Sequence, residues 1–260
     1  MKQPLAYIHP DAKIAPNVVI EPFVTIDKNV VIGEGTRIGS NATIMEGTRI
    51  GKNCTIFPGA VIGAVPQDLK FEGEDTTVEI GDNTTIREFV TINRGTRSKG
   101  KTVVGNNCLL MAYVHIAHDC HIGNHVIMSN ACQVAGEVRV DDFAIIGGGS
   151  LVHQFTHIGS HVMIQGGSKI GKDVPPFVTA GREPISFAGI NSIGLRRRNF
   201  TNEQINDIQN VYRYLFQMGL NNTSALERIE AELHASKERD EIVLFVRNSQ
   251  RGIIKGYKSE

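Results

Sequence analysis

The sequence predicts a parallel β-helix followed by a small α-helical tail, and three features of the repeat carry that prediction. An aliphatic residue falls at every sixth position, a second small or β-branched residue follows four positions later, and glycine often comes directly after the beat. Isoleucine holds the beat without a miss from Ile8 to Ile62, returns at Ile80, Ile86 and Ile92, and the beat then runs from Val104 to Ile170, giving 25 positions in one register. A period of six fits neither a helix at 3.6 nor a long straight strand at 2. Because 23 of the 25 residues are Ile or Val, short strands joined by tight corners are the solution. Ala12, Val18, Val24, Thr36 and Cys54 mark the second slot and point inward with the beat, since strand side chains alternate. Glycine follows the beat in ten of the 25 repeats, and a corner with unusual dihedrals is the expected reason. In such a solenoid each repeat buries its apolar edge only by stacking on its neighbours.

Residues 1–62 are unbroken hexads. The beat then fails over residues 64–79, a loop holding Gln67, Asp68, Leu69 and Lys70, and fails again over residues 93–103, where Arg94, Arg97, Lys99 and Lys101 form a basic cluster that faces either water or an acidic partner. Both gaps keep the register, so each either replaces edges of a coil or projects from it. Long loops on a regular scaffold are where function tends to sit. After Ile170 the string Val174, Pro175, Pro176 is expected to end strand pairing, with the solenoid closing near residue 180. This divides the chain into a β-helix over residues 1–183 and a helical domain over residues 184–260. Thr201 and Gln204 make a capping box, with Ile205, Ile208, Tyr212, Leu215 and Met218 at helical spacing up to Gly219. A second helix is expected to start at Thr223 or Ser224 and a third to span 240–249, together a packing or oligomerisation module.

Twenty-seven basic and 27 acidic residues cancel, so composition gives no push toward nucleic acid or a membrane surface. The first ten residues lack the apolar stretch of a signal peptide and no run approaches a membrane span, which predicts a soluble, cytoplasmic protein. Cys54, Cys108, Cys120 and Cys132 share the small inward slot and read as core filler rather than disulfides or ligands.

His115, His118, His121 and His125 crowd one stretch. A metal site is one reading, but residues six apart lie on different faces of a three-sided coil, so it would have to be shared between chains. Acid–base catalysis by His118 is the other, with Asp119 fixing its tautomer and orientation. Three hexads make one coil, so Gly136 stacks above His118 and Gln154 above that, with His153 adjoining. A glycine there leaves a backbone N–H beside the imidazole, as an oxyanion site needs. A purely structural or binding solenoid would not need this stack.

At these residues the chain resembles the UDP-N-acetylglucosamine O-acyltransferases that open lipid A biosynthesis. The resemblance rests on HIAHDC (His115 to Cys120), QDLK (Gln67 to Lys70), INRGT (Ile92 to Thr96), DDFAIIGG (Asp141 to Gly148), HQF (His153 to Phe155) and GIN…GLRRR (Gly189 to Arg198), and it extends over essentially the whole chain. It implies a left-handed coil, contrary to the usual right-handed crossover, and a homotrimer with sites between subunits. It also implies that His118 is the general base, Asp119 its orienting partner and the Gly136 N–H the oxyanion donor. Gln67, Asp68, Lys70, His153, Gln154, Asn191, Arg197 and Arg198 fall on the family's substrate-contacting positions, and arginines suit a diphosphate by their bidentate geometry. Gly166 matches the residue that limits acyl length. It lies 48 residues beyond His118, a rise of roughly 13 Å at about 4.8 Å per coil. No metal or cofactor is implied beyond the phosphopantetheine of the donor acyl carrier protein. Asn93, Glu137 and Ile193 depart from the family's usual His, His and Glu. The related N-acyltransferase carries a separate domain before its hexads, whereas hexads here begin at Ile8.

Overall fold

The structure, a computed structural model, describes residues 5–256. Three sheets of very short parallel strands form the faces of a left-handed coil. The first face has nine strands, from Tyr7–Ile8 to Lys169–Ile170, and the second has eight, from Lys13–Ile14 to His157–Ile158. The third has eleven, beginning at Val19–Ile20. On the first face the beat residues pair in register, Ile8 with Ile26, Ile44, Ile62, Ile92, Ile116, Val134, Val152 and Ile170 in turn. From Ile20 onward nearly every beat residue is fully buried. Full burial of such a side chain stabilises by about 1.5–3 kcal/mol. The four cysteines are buried and free, and burial pushes the thiol of Cys108 up to about 11 and that of Cys120 to about 12.

Of the glycines after the beat only Gly63, at φ 89°, has the unusual dihedral the sequence suggests; others have a different cause. Left-handed backbone sits at the third residue after the beat, as at Asn29, Asn41, Asn53 and Asn107, with φ of 52°, 59°, 53° and 56°. Asparagine visits that region more readily than most residues. Gly33, Gly81 and Gly105 instead make room for the next coil. A Cβ on any of them would lie 2.7, 2.6 and 2.5 Å from backbone atoms of Gly51, Gly105 and Gly123.

Both gaps in the beat project rather than replace coil edges. The strands Val61–Ala64 and Thr77–Ile80 belong to the first and second faces, as do Thr91–Asn93 and Lys101–Val104, so each excursion leaves and rejoins at one corner. This first corner, between first and second faces, also carries residues 117–120, 135–138 and 153–156. The excursions are shorter than the gaps in the beat, because pairing resumes at Thr77 and Lys101. The prolines after Val174 interrupt pairing without ending it: Val178–Gly181 rejoins the third face in parallel, then pairs antiparallel with Ser186–Ile190.

Four helices follow. Helix α1 (Ser192–Arg197), capped by Asn191, has no counterpart in the sequence reading; its six residues are too few to show a period. Helix α2 (Asn202–Phe216) has the expected Thr201–Gln204 capping box. Helix α3 (Asn222–Glu232) is capped by Asn221, and α4 (Lys237–Asn248) by Ser236, so each starts earlier than expected. Asn221 accepts from Ser224 N, which makes Ser224 the capped residue, not the cap. Helix α4 packs on the solenoid through Glu241, which accepts from Ser160, and Phe245, whose ring lies 4.4 Å from that of His157. No helix among the described residues is long and apolar enough to cross a membrane.

Candidate active site at the first corner

The histidine-rich stretch spreads its rings around the coil. His115 lies on the first face, with Nδ1 2.7 Å from Thr91 Oγ1, and burial lowers its pKa. His121 is exposed on the second face, and His125 stacks on Phe143 at 4.6 Å at the corner beyond. Among the described residues no three of His, Cys, Asp or Glu converge as metal ligands.

His118 is different. It sits at the first corner, 9% exposed, with Nδ1 2.8 Å from Asp119 Oδ2. Asp119 has a left-handed backbone, φ 60°, and its carboxylate is wholly buried. Two donors from the second excursion hold Oδ1, Thr96 N at 2.9 Å and Lys99 N at 3.2 Å. The Thr96 hydroxyl holds Oδ2 at 2.6 Å, and Asp119 N donates to Thr102 Oγ1 at 2.8 Å. Thr102 was invisible to sequence reasoning, and Thr96 entered only as part of the INRGT string. The available signal was the register itself, because a projecting loop one coil earlier must stand beside the His118 turn.

The first excursion closes the other side. Asp68 Oδ2 lies 3.7 Å from His118 Nε2, too far for a hydrogen bond but close enough to feel its charge. Asp68 is held by its own turn, accepting from Lys70 N at 2.9 Å. The two excursions are latched together, since Arg97 reaches Glu72 at 2.8 Å and its N–H meets Glu74 at 2.9 Å. Lys101 pairs with Glu79 at 3.0 Å, so much of the basic cluster is answered within the chain.

Gly136 stacks on the ring as expected. A Cβ there would lie 2.5 Å from His118 Cε1 and Nε2. The coils align through Glu137 N donating to His118 O at 2.9 Å and Phe155 N to Gly136 O at 3.2 Å. Gly136 N–H has no acceptor among the described residues. His153 and Gln154 occupy the next level, with His153 Nδ1 3.1 Å from Gln154 O, and Gln67 and Lys70 are exposed at the edge. This corner therefore offers a lone-pair nitrogen, a carboxylate behind it and a free N–H above it.

Comparison with known proteins gives this arrangement a family. Residues 173–254 match the model described as "Udp N-acetylglucosamine O-acyltransferase; Domain 2", residues 101–136 the six-repeat bacterial transferase hexapeptide, and residues 2–96 a GMPPB C-terminal domain. The acyl-[acyl-carrier-protein]--UDP-N-acetylglucosamine O-acyltransferase of Aquifex aeolicus is 56% identical over 199 residues, which is 76% of this chain and 76% of that protein. The one from Chlorobaculum tepidum is 59% identical over 186 residues, 71% of this chain and 70% of that protein. A crystal structure of a UDP-N-acetylglucosamine acyltransferase from Bacteroides fragilis is 60% identical with a TM-score of 0.97, covering 98% of this chain and 100% of that one. The chain belongs to the UDP-N-acetylglucosamine O-acyltransferase family.

The remaining positions that the resemblance assigned to substrate do not all meet in one copy of this acyltransferase. Asn191 uses its side chain to cap α1, accepting from Gly194 N at 3.1 Å and donating to His161 O at 2.9 Å. Arg198 lies at the second corner, its guanidinium 5.0 Å from the Phe143 ring centre, with Arg197 exposed beside it. Burial and Arg198 hold the pKa of His161 down at about 4. Gly166 is exposed at the third corner, where a Cβ would lie 3.0 Å from Gly148 O. The spacing of 48 residues is not a whole number of 18-residue coils, so in one chain Gly166 is not on the edge that carries His118. Of the departures from the acyltransferase pattern, Asn93 is buried with Oδ1 unpaired, Glu137 follows Gly136 at φ 58°, and Ile193 is exposed on α1.

Proposed function

We propose that the first corner catalyses transfer of an (R)-3-hydroxyacyl chain from acyl carrier protein to the 3-hydroxyl of UDP-N-acetylglucosamine, the opening step of lipid A biosynthesis, with His118 as general base. One observation carries the assignment of the base: His118 Nδ1 is tied to the buried Asp119, while Nε2 lies between Asp68 Oδ2 and Gly136 with no hydrogen bond among the described residues. The sugar hydroxyl gives its proton to Nε2 as its oxygen attacks the thioester carbon. The tetrahedral oxyanion is met by the Gly136 N–H. Collapse breaks the carbon–sulfur bond, and the imidazolium returns the proton to the departing thiolate of the carrier's phosphopantetheine, so the ring ends as it began. Incubating the protein with UDP-N-acetylglucosamine and 3-hydroxyacyl carrier protein should yield the acylated nucleotide sugar by mass spectrometry. Absence of that ester across a series of acyl lengths would sink the proposal.

Assembly as a homotrimer is part of the same reading. His118, Arg198 and Gly166 stand on three different corners of one copy, so a substrate touching all three has to lie between copies. The catalytically active species should sediment as a trimer, and an active monomer would be decisive against this.

The third corner carries Gly147, Gly148, Gly149, Gly166 and Gly167, which supports its use as the acyl-facing wall of a neighbouring copy. Gly166→Met is expected to fold, because the contact with Gly148 O at 3.0 Å is relieved by a small shift. It should move preference toward acyl chains several carbons shorter, each misplaced methylene being worth about 1–3 kcal/mol. An unchanged ranking of hydroxyacyl carrier proteins would reduce Gly166 to a corner residue.

A further inference from the structure

Two carboxylates flank the His118 ring, Asp119 2.8 Å from Nδ1 and Asp68 3.7 Å from Nε2. Either could claim the single proton of a neutral imidazole, and the claimant decides which nitrogen is left to act. A base at the open end of the ring needs the proton on Nδ1. The choice therefore turns on what holds Asp119 closer and more rigidly than Asp68.

We infer that Thr96, a residue of the second excursion that never meets the ring, is the positioning residue that sets the His118 tautomer by saturating Asp119; this rests on the reading of His118 as the base. The hydrogen bonds fix the proton count. Thr96 Oγ1 accepts from Ser98 N at 3.2 Å, so its own proton is directed to Asp119 Oδ2, 2.6 Å away. Thr96 N and Lys99 N are backbone donors and supply Oδ1. Three of the roughly four lone-pair sites of the carboxylate are then met by donors, two backbone N–H groups and the Thr96 hydroxyl. Hydrogen bonds donated to a carboxylate favour its charged form. The fourth site faces His118 Nδ1, which must donate, and Nε2 is left bare.

Asp68 has no comparable support. Its side chain is 25% exposed, and the one side-chain hydrogen bond it makes among the described residues is the local turn to Lys70 N on Oδ1, which leaves Oδ2 unheld. Without the Thr96 hydroxyl, Asp119 Oδ2 loses its shortest donor and keeps only the contact with His118 Nδ1. Asp68 then competes for the proton at Nε2, and every ring with Nε2 protonated is inactive as a base. The defect falls on turnover and not on sugar binding, since Thr96 is buried beneath Asp119 on the side away from Nε2.

Thr96→Val keeps the branched shape and backbone N–H and removes only the hydroxyl; Thr96→Ser restores it. A lost hydrogen bond to a charged group predicts that Thr96→Val lowers kcat about ten- to a hundredfold, while KM for UDP-N-acetylglucosamine moves less than about threefold on the same reasoning. Thr96→Ser should recover most of the rate. In the wild-type protein labelled with 15N in its histidine rings, the signals lost in His118→Ala should show Nδ1 protonated and Nε2 bare. In Thr96→Val a second population with Nε2 protonated should appear. The inference fails if Thr96→Val keeps kcat within twofold of wild type or keeps the wild-type tautomer. Should Thr96→Val not fold, the wild-type spectrum still decides, because a protonated Nε2 there overturns the assignment. High activity in His118→Ala instead removes the base itself, an outcome separate from any result at Thr96.

Discussion

His118→Ala is expected to lose on the order of a hundred- to ten-thousandfold of kcat, the usual contribution of a positioned general base. Alanine removes the nitrogen proposed to take the hydroxyl proton and leaves the other groups proposed to meet substrate in place. The fold should survive. His118 is at a corner and not among the stacked isoleucines, and Asp119 keeps its three donors from Thr96 and Lys99 when the ring is gone. On the proposed mechanism the residual rate reports the Gly136 N–H and substrate placement alone, which persist in the variant. Steady-state assays paired with circular dichroism check this, with KM for UDP-N-acetylglucosamine expected near wild type. A folded variant keeping more than a tenth of the wild-type rate takes His118 out of the mechanism.

The solenoid was legible because its physics is one-dimensional. Each Ile of the beat must stack on another Ile of the same face, so a single period written over the chain fixes strands, faces and register together. The same arithmetic placed Gly136 over His118, and the 2.5 Å approach of a would-be Cβ to the ring bears out that stacking. What the period does not encode was missed or misread. Gly33, Gly81 and Gly105 answer to the approach of the next coil, a contact between residues 18 or more apart that no local dihedral argument contains. Helix α1 is too short for its pattern to speak, and the caps at Asn221 and Ser236 lie upstream of the starts that apolar spacing suggested, Ser236 by four residues.

The site was half legible for a related reason. His118, Asp119 and Gly136 belong to the repeat, so their neighbourhood follows from counting. Asp68, Thr96 and Lys99 belong to excursions whose direction of travel the register leaves open. Once both excursions leave from the first corner, the stacking rule that relates coils also relates the loops. The latch from Arg97 to Glu72 and Glu74 is the consequence. The third and second corners show the converse. Gly166 and Arg198 were grouped with His118 by resemblance; the count of residues per coil sets Gly166 apart from His118 in a single chain, and the contact with Phe143 sets Arg198 apart.

Gly136→Ala should be nearly as damaging as loss of the base, and for a reason the pair of variants can separate. Gly136 has no left-handed backbone, so alanine brings no dihedral strain; its only new demand is space for one carbon. That carbon would stand 2.5 Å from both Cε1 and Nε2, closer than real contacts allow, so the ring or the coil has to move. The coil is pinned by Glu137 N on His118 O and Phe155 N on Gly136 O, and the core below is dense with buried valine and isoleucine. Among the described residues the ring is held by one hydrogen bond, Nδ1 to Asp119, and is the part that gives way. A tilted imidazole misplaces Nε2 and breaks the alignment with Asp119, while the methyl group covers the N–H assigned to the oxyanion. Removal of one oxyanion donor alone costs about a hundred- to a thousandfold in kcat, and displacement of the base adds to it. Thermal unfolding should shift little, since the clash is relieved at the surface of the coil. The double variant Gly136→Ala, His118→Ala discriminates: with the ring absent the methyl group has nothing to strike, so any further loss beyond His118→Ala measures the covered N–H by itself. If Gly136→Ala turns over within tenfold of wild type, neither the stacked ring nor the N–H above it is part of the reaction.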